Sequence, residues 1–288
     1  MRMNKSRTGV ILKKQIKLAC DTEMKSLKPG NVHQYSKSHD MNIKDFLKSS
    51  LIISECLTKN NLDLGKKILT SVNEIQDKIK KNTNLGIILM LSPIVTVVQK
   101  EGVISKGELL KKIKYLIKKQ NIKNSIPIFK AIALTSPGGL GVSEKYDVNK
   151  LPKTSLYKAM EYSKKRDLIA KQYCNGFQDI FNTGVPAYKK FYNKWGKVNW
   201  ALTGVYLTFL KKFNDSHIAR NKGNKIATTV KKEAKKYYLF LKRNKNLTKI
   251  KKELLIFDKK LKSKEINPGT IADLTVATFL FEIVTKKQ

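Results

Sequence analysis

The chain has 288 residues, 41% of them hydrophobic, enough to bury a sizeable core, and 59 lysines and arginines against 22 acids give a formal charge of +37. Only five of the cations are arginine, and thirteen Lys-Lys pairs run from Lys13 to Lys287. The charge therefore reads as lysine laid over solvent-facing helices, and it argues against a nucleic-acid partner, for which clustered arginine is preferred.

Apolar spacing of helical period recurs along most of the chain, and the alternation expected of strands is nearly absent. The first helix covers residues 10–27, with Ile11, Ile16, Leu18, Ala19 and Thr22 along one face and Pro29-Gly30 as its stop. A second runs from Ile43 to Leu57 behind a candidate cap at Asn42, and residues 64–81 form a third. The apolar run from Leu85 to Val98 is interrupted by Pro93; it falls short of the roughly 20 residues of a membrane span and reads as a buried core helix. Further helices are expected over 107–120 and 125–135, followed by a long loop at about 136–155 that is dense in Gly and Pro. Beyond it, helices continue from Leu156 to about Asn182, then over Pro186–Asn193, Val198–Phe213, Lys225–Asn244, Leu247–Leu261 and Thr270–Val284. No fixed-period repeat suggests a solenoid. The expected fold is all-α, a compact multi-helix single domain over residues 1–288 with functional loops at helix ends.

Cys20, Cys56 and Cys174 lie far apart with no CxxC spacing, which argues against a disulfide framework and a zinc site. The basic N-terminus mixes its apolar residues with lysines instead of gathering them into a signal-peptide core, so the cytoplasm is the expected compartment.

Polar loops, all but 39–45 bearing glycine, recur where the helices end: 28–33, 39–45, 82–86, 137–141, 215–223 and 267–273. Each joins a permissive backbone to a carboxylate, amide or cation, as phosphate binding at a helix terminus requires. The same residue types also simply stop and cap helices. All three histidines, His33, His39 and His217, fall in such segments, as does Arg220, and Arg166 stands in the polar stretch "KKRDLIAKQY". Carboxylate stands beside imidazole at His39-Asp40 and again at Asp215-Ser216-His217. Such pairs suit acid-base work, or magnesium held by carboxylates with substrate phosphate completing its shell. Neither GxGxxG, GxxxxGK[ST] nor GxSxG occurs, so no familiar nucleotide or serine-hydrolase site is signalled.

Taken in order, "ACDTEMKSLKPGNVH", "HDMNIKDFLKSS", "NTNLGIILMLSP", "SPGGLGVSEKYDV", "RDLIAKQY", "DSHIARNKG" and "NPGTIADLT" resemble the triphosphoribosyl-dephospho-coenzyme A synthase family, from about Leu18 to Phe281. The resemblance implies an all-helical transferase that moves the 5-triphosphoribosyl group of ATP to the ribose 2-hydroxyl of 3-dephospho-CoA, releasing adenine, in prosthetic group biosynthesis. Family members read Asn-Thr-His-Lys-Gly where this chain has Asn82-Thr83-Asn84-Leu85-Gly86, a form similar to the archaeal and one-carbon-metabolism branch. That departure leaves open another ribose-bearing acceptor, or a related ribosyltransferase or nucleotide hydrolase in another cofactor pathway, such as a pterin-linked one. A lysine-rich nucleic-acid-binding protein is the remaining alternative.

Cleavage of an N-glycosidic bond passes through an oxocarbenium-like ribose, which needs negative charge near C1 and proton transfer at the leaving base and the incoming hydroxyl. On the resemblance, the catalytic candidates are Glu23, His39 and Asp40. Substrate contacts are expected from Lys28, Gly30, Asn82, Asn84, Gly138, Gly139, Arg166, His217, Arg220, Lys222, Asn267 and Gly269, and Mg2+ is expected on Asp40, Asp215 and Asp273. Asp167, read as lying inside a helix beside Arg166, is open between an internal ion pair and a ligand. A turn at Asp215-Ser216 leading into a short helix is expected to bring Asp215, His217 and Arg220 together.

Overall fold

A computed structural model describes residues 5–36, 43–80 and 84–285. Among these residues the chain forms fourteen α-helices and no sheet. The first six are α1 (Lys5–Met24), α2 (Ile43–Leu57), α3 (Leu64–Ile79), α4 (Leu85–Glu101), α5 (Lys106–Lys118) and α6 (Ile122–Thr135). After the long loop come α7 (Leu156–Ser163), α8 (Leu168–Asn175), a π-helical turn at Ile180–Gly184, and α9 (Val185–Trp195). The chain closes with α10 (Val198–Leu210), α11 (Ser216–Lys222), α12 (Asn224–Arg243), α13 (Leu247–Lys262) and α14 (Gly269–Val284).

Short polar side chains set many of these boundaries. Asp63, Asn121, Asp167, Asp215 and Asn246 each accept a hydrogen bond from a backbone N–H in the first turn they precede, and each such cap stabilises by about 1 kcal/mol. Ser105 and Glu108 form a reciprocal capping box on α5. The stretch expected to be helical from Leu156 to Asn182 is divided by the same means, because Asp167 caps α8 and the left-handed Gly176 ends it. Asp167 thus stands before a helix rather than inside one.

Three helices form the centre. Along α4, α10 and α14 most side chains are buried, as a helix that is apolar on nearly all sides requires. The core reading of the Leu85 segment therefore holds. Pro93 leaves the Leu89 carbonyl without its helical donor, and the buried Tyr173 hydroxyl donates to that oxygen at 2.7 Å. Buried hydroxyls of Thr275 and Thr278 donate back to the Ile271 and Leu274 carbonyls of their own helix. Around this centre α1, α2 and α3 pack on one side and α9 and α12 on another. No single helix among the described residues is long and apolar enough to cross a membrane.

Candidate active site

A cleft of about 440 Å³ opens where the ends of several helices meet. Glu23 comes from the end of α1, Asn84 and Gly86 from the start of α4, and Gly138 and Gly139 from the long loop. Arg166 and Asp167 precede α8, His217 and Arg220 lie on α11, and Asn267, Gly269 and Asp273 surround the start of α14. Leu89, Phe129, Ile132, Met160 and Ile169 supply an apolar wall.

One side of the polar wall is a relay of side chains. Glu23, 3% exposed, contacts the ammonium of Lys28, 1% exposed. Lys28 Nζ also donates to Asn31 Oδ1 at 2.9 Å, and Asn31 Nδ2 donates to Asn267 Oδ1 at 2.7 Å. Behind the relay, buried Asp258 on α13 holds the turn in place. Its Oδ1 accepts from the Gly30 N–H at 2.8 Å and lies 3.2 Å from His33 Nε2 and 3.1 Å from Lys262 Nζ. The Tyr35 N–H donates to His33 Nδ1 at 3.2 Å, so the neutral ring carries its proton on Nε2, towards Asp258. The Tyr206 hydroxyl donates to the Pro29 carbonyl at 2.7 Å.

The opposite side is set by Asp215, which is fully buried. Its Oδ1 accepts from the Ile218 N–H at 2.9 Å and its Oδ2 from the Ile271 N–H at 2.8 Å. One carboxylate thereby caps α11 and ties it to α14, which fixes His217 and Arg220 beside Asp273. Ser216 Oγ accepts from the Leu168 N–H at 2.7 Å and adds α8 to the junction. Arg220 Nη1 meets Asp167 Oδ2 at 2.5 Å, while Asp167 Oδ1 caps α8 through the Ala170 N–H at 2.9 Å. The loop packs tightly here, since a Cβ on Gly139 (φ +69) would lie 2.6 Å from the Arg220 carbonyl oxygen. Arg166 Nη2 donates to Ser143 Oγ at 3.1 Å, and its guanidinium lies 5.6 Å from the Tyr162 ring centre.

These surroundings shift the acids and bases of the site. Burial raises the Glu23 carboxyl, against the pull of Lys28, and burial lowers Lys28, against the pull of Glu23. Asp273 is held well above the ordinary carboxylate range by burial and then by the negative charges of Glu23 and Asp215. Asp215 is pushed up to about 6 by burial, in spite of its two backbone donors. Burial and the nearby Arg220 charge lower His217, keeping its ring neutral at pH 7.

Of the residues expected to form the site, Glu23, Asn84, Gly138, Gly139, Arg166, His217, Arg220, Asn267, Gly269 and Asp273 all border this cleft. Lys28 and Gly30 belong to the buried turn behind it. Asp215 is behind the wall as well, with both oxygens turned to backbone N–H groups, and Lys222 pairs with Glu265 at 3.0 Å away from the lining. His39, Asp40 and Asn82 lie outside the described residues. The short helix after Asp215 forms as expected and brings His217 and Arg220 to the cleft, whereas Asp215 supports them from within. Asp167 is paired with Arg220 and still borders the cleft. Sequence reasoning missed Asn31 as a link and Asp258 altogether. The "KPGNVH" turn points to the former, but Asp258 stands in a lysine-rich helix with nothing local to mark it.

Carboxylates, guanidinium groups and an imidazole set around an apolar-backed cleft in an all-helical scaffold form the candidate active site of an enzyme. The model of the family described as ATP:dephospho-CoA triphosphoribosyl transferase matches residues 11–288, and the chain belongs to that family. No curated protein matches the chain in sequence. In fold it is similar to a crystal structure from Archaeoglobus fulgidus, provisionally assigned as a triphosphoribosyl-dephospho-coA synthase. The two superpose with a TM-score of 0.62 at 20% identity, over 86% of this chain and 100% of the other.

Proposed function

We propose that residues 1–288 work as one helical transferase domain in the cytoplasm, moving the 5-triphosphoribosyl group of ATP to a ribose 2-hydroxyl of 3-dephospho-CoA. In that step the bond from ribose C1 to the adenine nitrogen breaks and a bond from C1 to the acceptor oxygen forms. The acceptor hydroxyl loses its proton to a base, and adenine leaves with a proton supplied to its ring. The observation that carries the reading is the convergence of Glu23, Asp273, Arg166 and Arg220 on one cleft in a chain of this family.

Glu23 is the candidate acid to face a cationic C1, and its burial limits how far water can screen its charge, which the Lys28 ammonium partly offsets. Arg166 and Arg220 neutralise phosphate oxygens, and the backbone of Gly138 and Gly139 allows close approach of the phosphate tail. Asn31 and Asn267, already bonded to each other, offer amide groups to ribose hydroxyls. His217, neutral and lying against Gly269, is suited to accept the proton of the incoming hydroxyl. His39, Asp40 and Asn82 remain candidates by the family resemblance alone.

Mg2+ fits this donor set with help from substrate. No cluster of three metal-binding side chains occurs among the described residues, and Asp273 would hold the ion jointly with triphosphate oxygens, which would supply most of its shell, as this hard cation usually binds. When bound, it would offset phosphate charge.

Incubation of the protein with ATP and Mg2+, with and without dephospho-CoA, tests the reading by chromatography of free adenine. Adenine that depends on dephospho-CoA is the expected result. Adenine formed equally without it indicates a hydrolase, and none in either case removes the proposed reaction.

A further inference from the structure

The two arginines of the cleft are held in different ways. Arg220 is ion-paired with Asp167, so part of its charge is already offset. Arg166 has only neutral partners among the described residues, the Ser143 hydroxyl and the ring of Tyr162. It therefore keeps its whole charge for an incoming anion. A long, exposed arginine samples many rotamers, and an anion that binds it must first freeze them.

Both neutral partners are themselves fixed. Tyr162 stands in the last turn of α7, and the Arg166 and Asp167 N–H groups each donate to the Ser163 carbonyl at 3.0 Å just beyond it. The rings of Tyr146 and Tyr162 meet edge to face with centres 5.8 Å apart. Tyr146 takes a left-handed φ of +56, a conformation that a bulky side chain keeps only where its surroundings hold it. The Ser143 hydroxyl donates its proton to the Lys145 carbonyl at 2.8 Å, which leaves its lone pairs to accept from Arg166. The Ser143 N–H donates to Oδ2 of buried Asp147 at 2.8 Å, and the Asn149 N–H to Oδ1 at 2.8 Å. The 143–149 turn and the end of α7 thus bracket one guanidinium from two sides.

We propose that Tyr162 and Ser143 are positioning residues of the transfer reaction. Neither borders the cleft; they act through Arg166, presetting its guanidinium for the polyphosphate of the donor. The ring limits how far the guanidinium plane can tilt, and the hydroxyl limits how far it can turn. The inference rests on the transfer reading for the identity of the anion, and it adds the side chains that ready the cleft arginine whose charge no carboxylate offsets.

Calorimetric titration with inorganic triphosphate tests the bracket without relying on turnover. Tyr162→Leu and Ser143→Ala should each weaken triphosphate binding by about fivefold, whereas Tyr162→Phe, which keeps the ring face, should bind as wild type does. Tyr162 is 40% exposed, so its replacement leaves the core intact. In an Arg166→Ala background, Tyr162→Leu should cost nothing further. In turnover, Tyr162→Leu should raise KM for ATP by the same factor and leave kcat within about twofold, because a phosphate contact is made in the ground and transition states alike. Wild-type affinity in Tyr162→Leu, a loss that persists undiminished without Arg166, or no triphosphate binding by the wild-type protein overturns the positioning role. Triphosphate binding that depends on Tyr162 in a protein releasing no adenine sinks the transfer reading and leaves the bracket standing.

Discussion

The carboxylate of Asp273 rests directly on the backbone of Gly86: a Cβ built on Gly86 would lie 1.9 Å from Asp273 Oδ2. The two residues open α14 and α4, two of the three central helices, so an acid of the cleft is keyed to the packing of the core. Gly86→Ala must displace Asp273 or part the helices. Adenine release should fall by about 100-fold, the scale seen when a reacting group is misplaced by an ångström. Adding Asp273→Ala to Gly86→Ala should relieve the stability loss. Denaturant unfolding of the four forms checks this, and additive stabilities would refute the contact.

Asp273 also governs the expected response to pH and metal. Burial and the charges of Glu23 and Asp215 raise its carboxyl, so it ionises later than an ordinary acid as pH increases. Mg2+ binding, which needs the ionised form, should strengthen as pH climbs beyond the usual carboxylate range, and Asp273→Asn should abolish that dependence along with most turnover. Removing divalent ions with a chelator should stop adenine release, and Mg2+ should restore it. Unchanged release in the chelator sinks the metal part of the proposal.

For Asp215 the expected effect is on stability. Its carboxyl rises from 3.8 to about 6 on folding, so the native state holds a proton that the unfolded chain has already lost between those values. Its favourable contribution is therefore full below 3.8 and declines as pH rises through 6. Relative to Asp215→Asn, wild type should lose up to roughly 3 kcal/mol of stability between pH 3.5 and pH 7.5. Urea unfolding at the two pH values measures it, and a difference that grows with pH contradicts the assignment.

Asp258 touches no cleft atom, yet it holds the Gly30 N–H, His33 and Lys262 together behind Lys28 and Asn31. Asp258→Ala leaves two buried donors and a cation without their acceptor, at a cost of about 3 kcal/mol or more. Asp258→Asn keeps one acceptor for Gly30, and the folded variant should lose about tenfold in kcat/KM through the displaced turn. Full activity in a folded Asp258→Asn would separate this cluster from the site.

Much of the scaffold was legible along the chain because its signals are local. The helical spacing over 64–81 and 107–120 needs no distant partner to be read, and the apolar run from Leu85 declares a buried helix whatever surrounds it. The loops at 28–33, 137–141, 215–223 and 267–273 were also visible as places where glycine, proline and polar groups coincide. Less could be read of the long Leu156–Asn182 stretch, where the Asp167 cap competes with a continuous helical pattern.

Composition and spacing by themselves determined that the chain is helical, where its apolar faces lie, and which polar turns are available to bind a ligand. Only the tertiary structure decided which acid does what. Asp215 and Asp273 each stand near the start of a helix and look alike in sequence, but docking of α11 on α14 turns the first towards backbone N–H groups and leaves the second lining the cleft. Asp258, outwardly one more charge in a lysine-rich helix, becomes the anchor of the Lys28 turn across 228 residues of chain. Helix formation depends on neighbours a few residues away, whereas the role of a carboxylate depends on burial and on partners that only folding brings within reach.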